Sequence, residues 1–529
     1  MDNPVYNNVK QDEPINVAPP AVATGGVMIS PQGNPISGSP TVTPNKFSQL
    51  GTNQITVGVG NSIQYAIDAM HRAGGGKVFL SAGTHLSSES LVLYSDIILE
   101  GEGIGITIID FGGADINLQI TGTLRTSAGT ITVTEGSVTV SGSLSSFTNS
   151  SVGDLLHVTA DSYNFVAEIK SIESATSLTL VDAWPLPTIT ATSAYRLMGA
   201  IKNNVLKNIT IQNSSSINGN IQIEYANNFI CDNVKSYKNT TGDGIHIQWI
   251  LNSELRNIES SYNGSTSGAD GFSIITLLRT TLYNCSAFGN GGMGFNFNAQ
   301  DEEVSVFACL ADGNGGNGFG FSGNGFTIMG CSAAGNDDNG FDFNGAVRSV
   351  LISCFAFDNG SDGLEISSGS AENLVIGCSL INNDAYGIQV VVNSNRNDIS
   401  DCYFSGNASG VINDGAAHTF YKNRGSVAFT AANGANNNID IGENKIVRVT
   451  GPTAAFSISG ISAGVNGKEV YIYNAVAFDM TITNEGASST AANRILTLTG
   501  ADVVLTGVSV AHFIYHATDS RWILLETQG

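Results

Sequence analysis

The stretch Cys331-Ser-Ala-Ala-Gly-Asn336-Asp-Asp-Asn-Gly340-Phe341 decides the fold, because its spacing returns along the chain. A small or apolar anchor is followed five positions later by Asn, and then by Gly with an apolar residue. Between residues 203 and about 424 this unit recurs eight times, every 22 to 27 residues. An offset of five that holds through eight units indicates a repeat architecture in which each unit is one structural turn.

Each repeat carries the same three markers. The anchors are Val234, Ile258, Cys285, Cys309, Cys331, Cys354, Cys378 and Cys402. The Asn positions are Asn239, Asn263, Asn290, Asn314, Asn336, Asn359, Asn383 and Asn407. The Gly-apolar pairs are Gly244-Ile245, Gly271-Phe272, Gly294-Phe295, Gly318-Phe319, Gly340-Phe341, Gly363-Leu364, Gly387-Ile388 and Gly410-Val411.

This pattern predicts a parallel β-helix, with each repeat as one coil. Equivalent residues of successive coils would stack about 4.8 Å apart, so that inward positions form ladders of Cys and Phe. Stacked Asn side chains would hydrogen-bond from coil to coil, and each Gly is expected to supply a corner with positive φ. The cysteines are then packing residues rather than metal ligands or disulfide partners, since no clustered C-x₂-C spacing occurs. No cofactor is implied.

Composition excludes several classes of protein. The chain has 529 residues, a net charge of -23 and only 13% charged residues, with ordinary apolar content at 42%. Disorder would need lower hydrophobicity with more charge, and nucleic-acid binding would need clustered Lys and Arg. No apolar run is long enough to insert into a membrane. The first residues lack a basic and apolar leader, so no secretory signal is expected.

The chain divides into five predicted segments. Residues 1–50 hold most of the prolines and are typical of an extended arm that docks on a partner. Residues 51–120 contain a helix that begins after Asn61 or Ser62, followed by the first coils. Residues 121–199 are rich in Thr, Ser and Val, lack the repeat, and indicate an inserted β-domain. Residues 200–424 are the repeat, and 425–529 form a carboxy-terminal β-domain of sandwich-like type.

Two regions of the chain resemble known families. Asn61-Ser-Ile-Gln-Tyr-Ala-Ile-Asp-Ala-Met70, Gly74-Gly-Gly-Lys-Val-Phe-Leu80 and Leu99-Glu-Gly-Glu-Gly103 resemble the start of the pectate-lyase-type right-handed β-helix, although Ser81 stands where that family commonly has Pro. Gly464-Val-Asn-Gly-Lys-Glu-Val-Tyr-Ile-Tyr-Asn474, Asn493-Arg-Ile495 and Ser520-Arg-Trp522 are similar to carboxy-terminal domains of phage tail proteins. The resemblance implies an all-β phage tailspike or tail fibre protein that forms a homotrimer.

The same resemblance sets the expected partners and location. Residues 1–50 would attach the protein to other virion proteins, and the β-helix would bind a host cell-surface polysaccharide. The protein would be assembled in the host cytoplasm and would act at the host surface as a component of the virion. The calcium ligands and the Arg base of pectate lyases have no counterparts that can be matched residue by residue.

Candidate catalytic residues come from the position after each Gly-apolar pair, which should point outward because strand side chains alternate. That column reads His246, Ser273, Asn296, Gly320, Asp342, Glu365, Gln389 and Ile412. Asp342 and Glu365 lie on consecutive coils, so their Cβ atoms should be about 5 Å apart. Such a pair raises one pKa, which suits a general acid in a glycosidase. The alternative is that both are ordinary solvated residues of an acidic protein.

Candidate glycan-binding residues lie near the same column: His246, Trp249, Asp270, Asn296 and Gln389. Asp270 precedes a turn Gly, where Asp and Asn also serve local turn chemistry. Trp249 would either stack on sugars or pack between subunits. Two functional classes remain at this stage. The first is an adhesin, with or without depolymerase activity, and the second is a structural virion fibre or decoration protein without a glycan role.

Overall fold

The structure is a computed structural model, and it describes residues 53–125, 128–144, 147–159, 165–264, 268–298, 304–415, 420–422, 426–442, 444–462 and 464–528. The predicted arm, residues 1–50, lies outside the described residues. The described residues form a single α-helix, Ile63–Arg72, and two 3₁₀ turns, Phe147–Asn149 and Ala491–Asn493. None of the helices among these residues is long and apolar enough to cross a membrane.

The helix Ile63–Arg72 covers the open end of the first coil. Its N-cap is Ser62, whose Oγ accepts a hydrogen bond from the backbone N–H of Tyr65 at 3.1 Å. Ile63, Ala66, Ile67 and Met70 recur at helical spacing and are buried against the core. The exposed end of a β-helix has unpaired apolar residues, and an amphipathic helix removes them from water.

Two parallel sheets form the coils. Sheet 1 wraps two faces of the coil and has 21 strands: Gln54–Val57, Gly76–Leu80, Gly83–Leu86, Ile97–Glu100, Thr107–Asp110, Val205–Gln212, Ile230–Tyr237, Glu254–Ser261, Thr281–Tyr283, Ser286–Phe288, Ser305–Phe307, Leu310–Asp312, Thr327–Met329, Ser332–Ala334, Val350–Ile352, Phe355–Phe357, Leu374–Ile376, Ser379–Ile381, Asp398–Ser400, Tyr403–Ser405 and Phe420–Lys422. Sheet 2 forms the third face and has 13 strands: Leu91–Val92, Leu118–Thr121, Ile201–Lys202, Ile221–Glu224, Ala226–Asn227, Ile245–Leu251, Phe272–Leu278, Phe295–Asn298, Phe319–Phe321, Phe341–Asn344, Leu364–Ser367, Tyr386–Val390 and Gly410–Asp414. The predicted parallel β-helix is confirmed.

The predicted Asn ladder is also confirmed. From Asn263 to Asn407, each side-chain amide donates from Nδ2 to Oδ1 of the Asn in the next coil, at 2.9 Å in all six steps. The same Oδ1 atoms also accept backbone N–H groups at the corner. The ladder thus satisfies buried polar groups that no strand pairing reaches, which is why Asn is required at this place in the coil.

The explanation predicted for the repeat glycines is wrong at seven of the eight positions. Only Gly410 has a positive φ, whereas the other seven do not. These glycines are required by close packing between coils. A Cβ on Gly318 would lie 2.7 Å from Gly340 O and 2.8 Å from both Ala333 Cβ and Asn336 Nδ2. The positive-φ corner lies instead one residue before each ladder Asn, as at Gly313.

The core inside the coils consists of stacked like residues. Phe272, Phe295, Phe319 and Phe341 form a continuous stack with ring centroids 4.5 to 5.1 Å apart. The seven cysteines are free thiols, and all except Cys402 are fully buried. Because neighbouring coils present the same side chain at the same place, the core packs densely over many turns.

The segment between the first coils and the repeat forms a separate set of antiparallel strands: Thr123–Arg125, Thr130–Val133, Thr139–Ser143, Leu155–Val158, Phe165–Ser174, Ser177–Leu180, Ile189–Thr192 and Tyr195–Gly199. These strands enclose their own core, which includes Phe147 and Trp184. The coils on either side stack directly, since Leu118–Thr121 pairs with Ile221–Glu224.

The carboxy-terminal region has two sheets around one core. The larger comprises Ser426–Thr430, Ile446–Thr450, Glu469–Asn474, Ile495–Thr497, Ser509–His516 and Arg521–Gln528, and the smaller comprises Gly434–Asn436, Phe456–Ile458, Met480–Ile482 and Val503–Leu505. Two sheets facing one core match the sandwich-like prediction. The first three strands of each sheet pair in parallel, however, so coiling continues before the chain ends in antiparallel strands.

Candidate functional site

Sheet 2 presents on its outer surface a column with one residue from each coil, which we call the outer column. In register order it reads Gln222, His246, Ser273, Asn296, Gly320, Asp342, Glu365, Gln389 and Asn413. The sequence placed Ile412 at the end of this column, and that was wrong. Ile412 pairs with Ile388 and packs against the core. The error arose because Val411, rather than Gly410, faces Gly387 in the next coil.

Asp342 and Glu365 are direct neighbours in the outer column. Asp342 is only 7% exposed, and its Oδ1 is buried without a hydrogen-bond partner. Its Oδ2 accepts a hydrogen bond from Asn317 Nδ2 at 3.1 Å. Burial, together with the negative charges of Glu365 and Asp338, raises the pKa of Asp342 to about 7. One carboxyl group of the pair therefore holds a proton near neutral pH, as a general acid must.

An amide from the preceding coil holds each acid of this pair. Asn339 Nδ2 donates to Glu365 Oε2 at 2.8 Å, in the same way that Asn317 holds Asp342. Asp342 and Glu365 are register partners on adjacent strands, so their Cα atoms lie one coil spacing, about 5 Å, apart. The offset of 25 or 26 residues between these two amides and the acids that they hold is visible in the repeat.

Asp362 adds a third carboxyl group beside this pair. Its Oδ1 accepts the backbone N–H of Tyr386 at 2.7 Å, and its own N–H donates to Asn339 Oδ1 at 2.9 Å. Burial, with the charges of Glu365 and Asp338, raises the pKa of Asp362 to about 6. Asp362 therefore serves as a turn residue, and its pKa is raised by the same two charges that act on Asp342.

A second polar cluster lies farther along the same face, around Asp270. Asp270 Oδ1 accepts the backbone N–H of Met293 at 2.7 Å, and Oδ2 accepts Asn296 Nδ2 at 2.8 Å. Burial and the charge of Asp243 raise the pKa of Asp270 to about 6. Asp270 and Asn296, both predicted glycan contacts, are thus brought together. Asn317 and Asp342 occupy the same two positions of the coil with donor and acceptor exchanged.

His246 belongs to the same cluster. Its Nδ1 lies 3.3 Å from Asp243 Oδ2, and its Nε2 lies 2.6 Å from Gln248 Nε2. An amide nitrogen only donates, so His246 Nε2 accepts and the ring proton lies on Nδ1, which donates to Asp243. This arrangement fixes the ring orientation and is typical of a positioned recognition residue.

Gly320 and Met293 lie between the two clusters. A Cβ on Gly320 would be 2.9 Å from Met293 Sδ, so the thioether covers the position where the outer column lacks a side chain. Met293 is partly exposed. The acidic face, which we define as Asp243, Asp270, Asp338, Asp342, Asp362 and Glu365, therefore has an apolar patch near its middle.

The other two predicted glycan contacts lie in different surroundings. Gln389 follows Glu365 in the outer column and accepts a hydrogen bond from Asn413 Nδ2 at 2.8 Å, near the surface. Trp249 stacks on Tyr225 with ring centroids 4.6 Å apart and lies 4.8 Å from the ring of His157. Trp249 thus packs between the coil and the inserted strands, which gives it a structural role.

Among the described residues no group of three or more His, Cys, Asp or Glu has the geometry to hold a metal ion. The acids of the acidic face are separated by amides and by backbone hydrogen bonds. The chemistry that these side chains themselves provide is proton transfer, carboxylate attack and hydrogen bonding.

A family model described as a right handed beta helix region matches residues 297–475. This match confirms the predicted hand of the β-helix across the coils that carry Asp342 and Glu365. No curated protein is similar in sequence to this chain at a significant level.

Several solved structures are similar in shape at low identity. The A-module of mannuronan C-5 epimerase AlgE4 from Azotobacter vinelandii is 16% identical, with 69% of this chain and 96% of that chain covered and a TM-score of 0.47. The tailspike gp61 of Pseudomonas phage phi297 is 13% identical, with 82% and 72% covered and a TM-score of 0.44. The Gp54 tailspike of Acinetobacter baumannii bacteriophage AP22 is 10% identical, with 82% and 85% covered and a TM-score of 0.38. These values assign no function to this chain.

Proposed function

We propose that this protein binds a polysaccharide along the acidic face and cleaves it, with Asp342 as proton donor and Glu365 as the ionised partner. The observation that supports this most directly is the state of Asp342. Its Oδ1 is buried without a partner, beside a second carboxylate, on the outer surface of a long straight sheet. An unpaired buried oxygen costs stability and is retained where function needs it.

The pair has the spacing for double displacement. Carboxyl groups about 5 Å apart suit a retaining glycosidase, in which one acts as acid and the other as nucleophile. Asp342 gives its proton to the glycosidic oxygen as Glu365 bonds to the anomeric carbon and the leaving sugar departs. Water then loses a proton to the Asp342 carboxylate and displaces Glu365. The product keeps the anomeric configuration of the substrate.

The experiment is to incubate the purified full-length chain with bacterial capsules and lipopolysaccharides, measuring binding by calorimetry and cleavage by new reducing ends. Asp342→Asn and Glu365→Gln should each lower the cleavage rate by about 10² to 10⁴-fold while binding persists. Asp115→Asn and Glu89→Gln, which change exposed acids elsewhere, are the matched controls. Cleavage that stays at the wild-type rate in both site variants would refute the assignment, and absence of binding to every glycan would refute the function.

The sequence resemblance supports a more specific proposal, that of a phage tailspike or fibre adhesin. In this proposal residues 1–50 attach the protein to the virion, and the acidic face meets the surface polysaccharide of the host. A pull-down of virion proteins with the full-length chain and with a chain lacking residues 1–50 tests the attachment. Equal recovery by both chains would contradict it.

We also propose that the protein forms a homotrimer, and the surface of sheet 1 supports this. One outward column of sheet 1, the apolar column, carries a large apolar residue in five consecutive coils: Tyr283, Phe307, Met329, Ile352 and Ile376. Tyr283 and Met329 are exposed, as are Phe355 and Phe357 on the strand that follows Val350–Ile352 in the chain. Contiguous exposed apolar patches mark interaction surfaces, and other copies of the same chain would cover this one while leaving the acidic face accessible.

A further inference from the structure

The charge pattern around the acidic face identifies the class of glycan that fits it. The six acids of that face lie on or just before the sheet 2 strands that start between residues 245 and 386. No Lys or Arg occurs within those strands. The basic residues nearest in sequence are Lys238, five residues before Asp243, Arg348, six residues after Asp342, and Arg279, which directly follows a sheet 2 strand. Arg279 is bound to Asp182 and Glu168 of the inserted strands.

A ligand that lies along the outer column therefore meets carboxylates and amides, and none of these sheet 2 strands supplies a compensating cation. Two unit charges of like sign 5 Å apart repel by about 0.8 kcal/mol in water and about 3 kcal/mol at an effective dielectric constant of 20, which corresponds to roughly fourfold to a few hundredfold in affinity. A polymer with a carboxylate on every repeating unit would meet this repulsion at several acids at once, since the acidic face extends over several coils.

The same charge pattern also distinguishes hydrolysis of the glycosidic bond from its cleavage by elimination. Elimination from a uronate needs positive charge to stabilise the carbanion that forms beside its carboxylate, and it needs a base to remove the proton at C5. The residues around Asp342 supply negative charge and a proton donor instead. The side-chain amides of Asn317 and Asn339 donate hydrogen bonds to the two acids in this region.

The polar groups outside the pair suit hydroxyl recognition. Asn296 and Asp270 are paired to each other, and His246 is fixed by Asp243 and Gln248. Such groups bind sugar hydroxyls through directional hydrogen bonds. Met293 offers a small apolar surface between the two clusters, where the C–H face of a sugar ring can pack. From Asn296 to Asp342 the face spans two coil spacings, about 10 Å, which is long enough for two sugar units.

We propose that the ligand of the acidic face is an uncharged polysaccharide and that it is cleaved by hydrolysis, without elimination. This inference rests on the proposed function and narrows it to a substrate class. The reaction adds one water across the glycosidic bond, with the proton relayed through Asp342 and the hydroxyl delivered to the anomeric carbon.

The test uses a matched pair of polymers, a glucuronate-containing bacterial capsule and its carboxyl-reduced form, together with an array of neutral glycans. We expect neutral glycans to bind, and the reduced polymer to bind at least about fourfold more tightly than its acidic parent. Products should show new reducing ends without the ultraviolet absorbance of an unsaturated uronate. Preferential binding of the acidic polymer, or an unsaturated product, would overturn the inference while leaving glycan cleavage intact. Failure of all glycans to bind would overturn both.

A charge variant makes the test independent of the choice of sugar. Asn344 is exposed and lies two residues after Asp342 on the same side of the strand. Asn344→Lys should raise the affinity for the acidic polymer by about fourfold or more. Gln54→Lys, at an exposed position on the first strand of sheet 1, is the matched control and should leave that affinity unchanged. Equal affinities for the two variants would contradict the electrostatic basis of the inference.

Discussion

Replacing Asp342 by Asn should make the protein more stable at neutral and alkaline pH while removing its proton donor. Burial and the nearby acids raise the pKa of Asp342 from 3.8 to about 7. A rise of about 3 in pKa corresponds to roughly 4 kcal/mol, at about 1.4 kcal/mol for each pKa unit. Asn has the shape of the protonated acid and carries no charge, so the variant avoids the cost of ionising a buried group.

The direction of the stability difference between wild type and Asp342→Asn follows from how the protonation of Asp342 changes with pH. Below about pH 4 the carboxyl is protonated in both the folded and the unfolded chain, so wild type and variant should be similar in stability. Between about pH 4 and pH 7 the folded chain holds a proton that the unfolded chain releases, and the stability of the wild type falls as the pH rises. Above about pH 7 the variant should keep its full advantage of ~4 kcal/mol.

The measurement is urea-induced unfolding of both proteins from about pH 4 to about pH 8, which brackets the pKa of the folded and unfolded carboxyl, with hydrogen exchange of residues 341–344 as a local readout. Asp115→Asn removes an exposed carboxylate and should shift stability little at any pH. A difference between wild type and Asp342→Asn that is independent of pH would refute the reasoning. A gain that grows with pH and accompanies loss of cleavage is the trade-off expected at an active site.

The same contacts lead to four further predictions. Glu365→Gln should lower the cleavage rate by about 10² to 10⁴-fold, and NMR of the wild-type products should show retained anomeric configuration; inversion would exclude Glu365 as nucleophile. Asn336→Ala should cost about 3 kcal/mol in urea unfolding, since it removes hydrogen bonds to both neighbouring coils and leaves the buried backbone N–H of Asn314 without its acceptor. Gly318→Ala should destabilise the protein by about 3 kcal/mol because the added Cβ clashes with the next coil. Gly313→Ala, at a positive φ in open space, should destabilise it by about 1 kcal/mol. A larger loss of stability for Gly313→Ala than for Gly318→Ala would indicate that the repeat glycines are needed for their backbone conformation. Ile352→Lys should convert the proposed trimer to monomers in sedimentation, because it introduces a charge into the apolar column.

The sequence predicted the parallel coils and the Asn ladder because both depend on a single repeated contact. Asn263 and each following Asn touch the same group one coil away, so a constant spacing is enough to reveal them. The role of Gly318 could not be predicted from spacing, because a glycine required for positive φ and a glycine required for close packing produce the same sequence pattern. The prediction that Ile412 ends the outer column was wrong because, in the last coil, Val411 occupies the position at which Gly was expected.

The candidate pair was predictable from the repeat, but the contacts that hold it were not. Alternation alone placed Asp342 and Glu365 on one surface as neighbours. The amides that hold them lie 25 or 26 residues earlier in the chain, and their direction depends on how each turn orients its side chain. The packing of Trp249 against Tyr225 depends on the inserted strands, which no repeat spacing can describe.

The distribution of residue types over the columns of this β-helix separates structure from function. Columns in which one residue type recurs, such as the ladder Asn, the close-packed Gly and the stacked Phe, are those in which each residue contacts its own copy in the next coil. The outer column contacts solvent on one side, so packing does not dictate its residues, and it changes from His246 through Gly320 to Asp342 and Glu365. A repeat can therefore acquire a catalytic pair by two substitutions in a column that the fold leaves free. Only the cost of burying one carboxyl group, Asp342, then has to be offset by the rest of the coil.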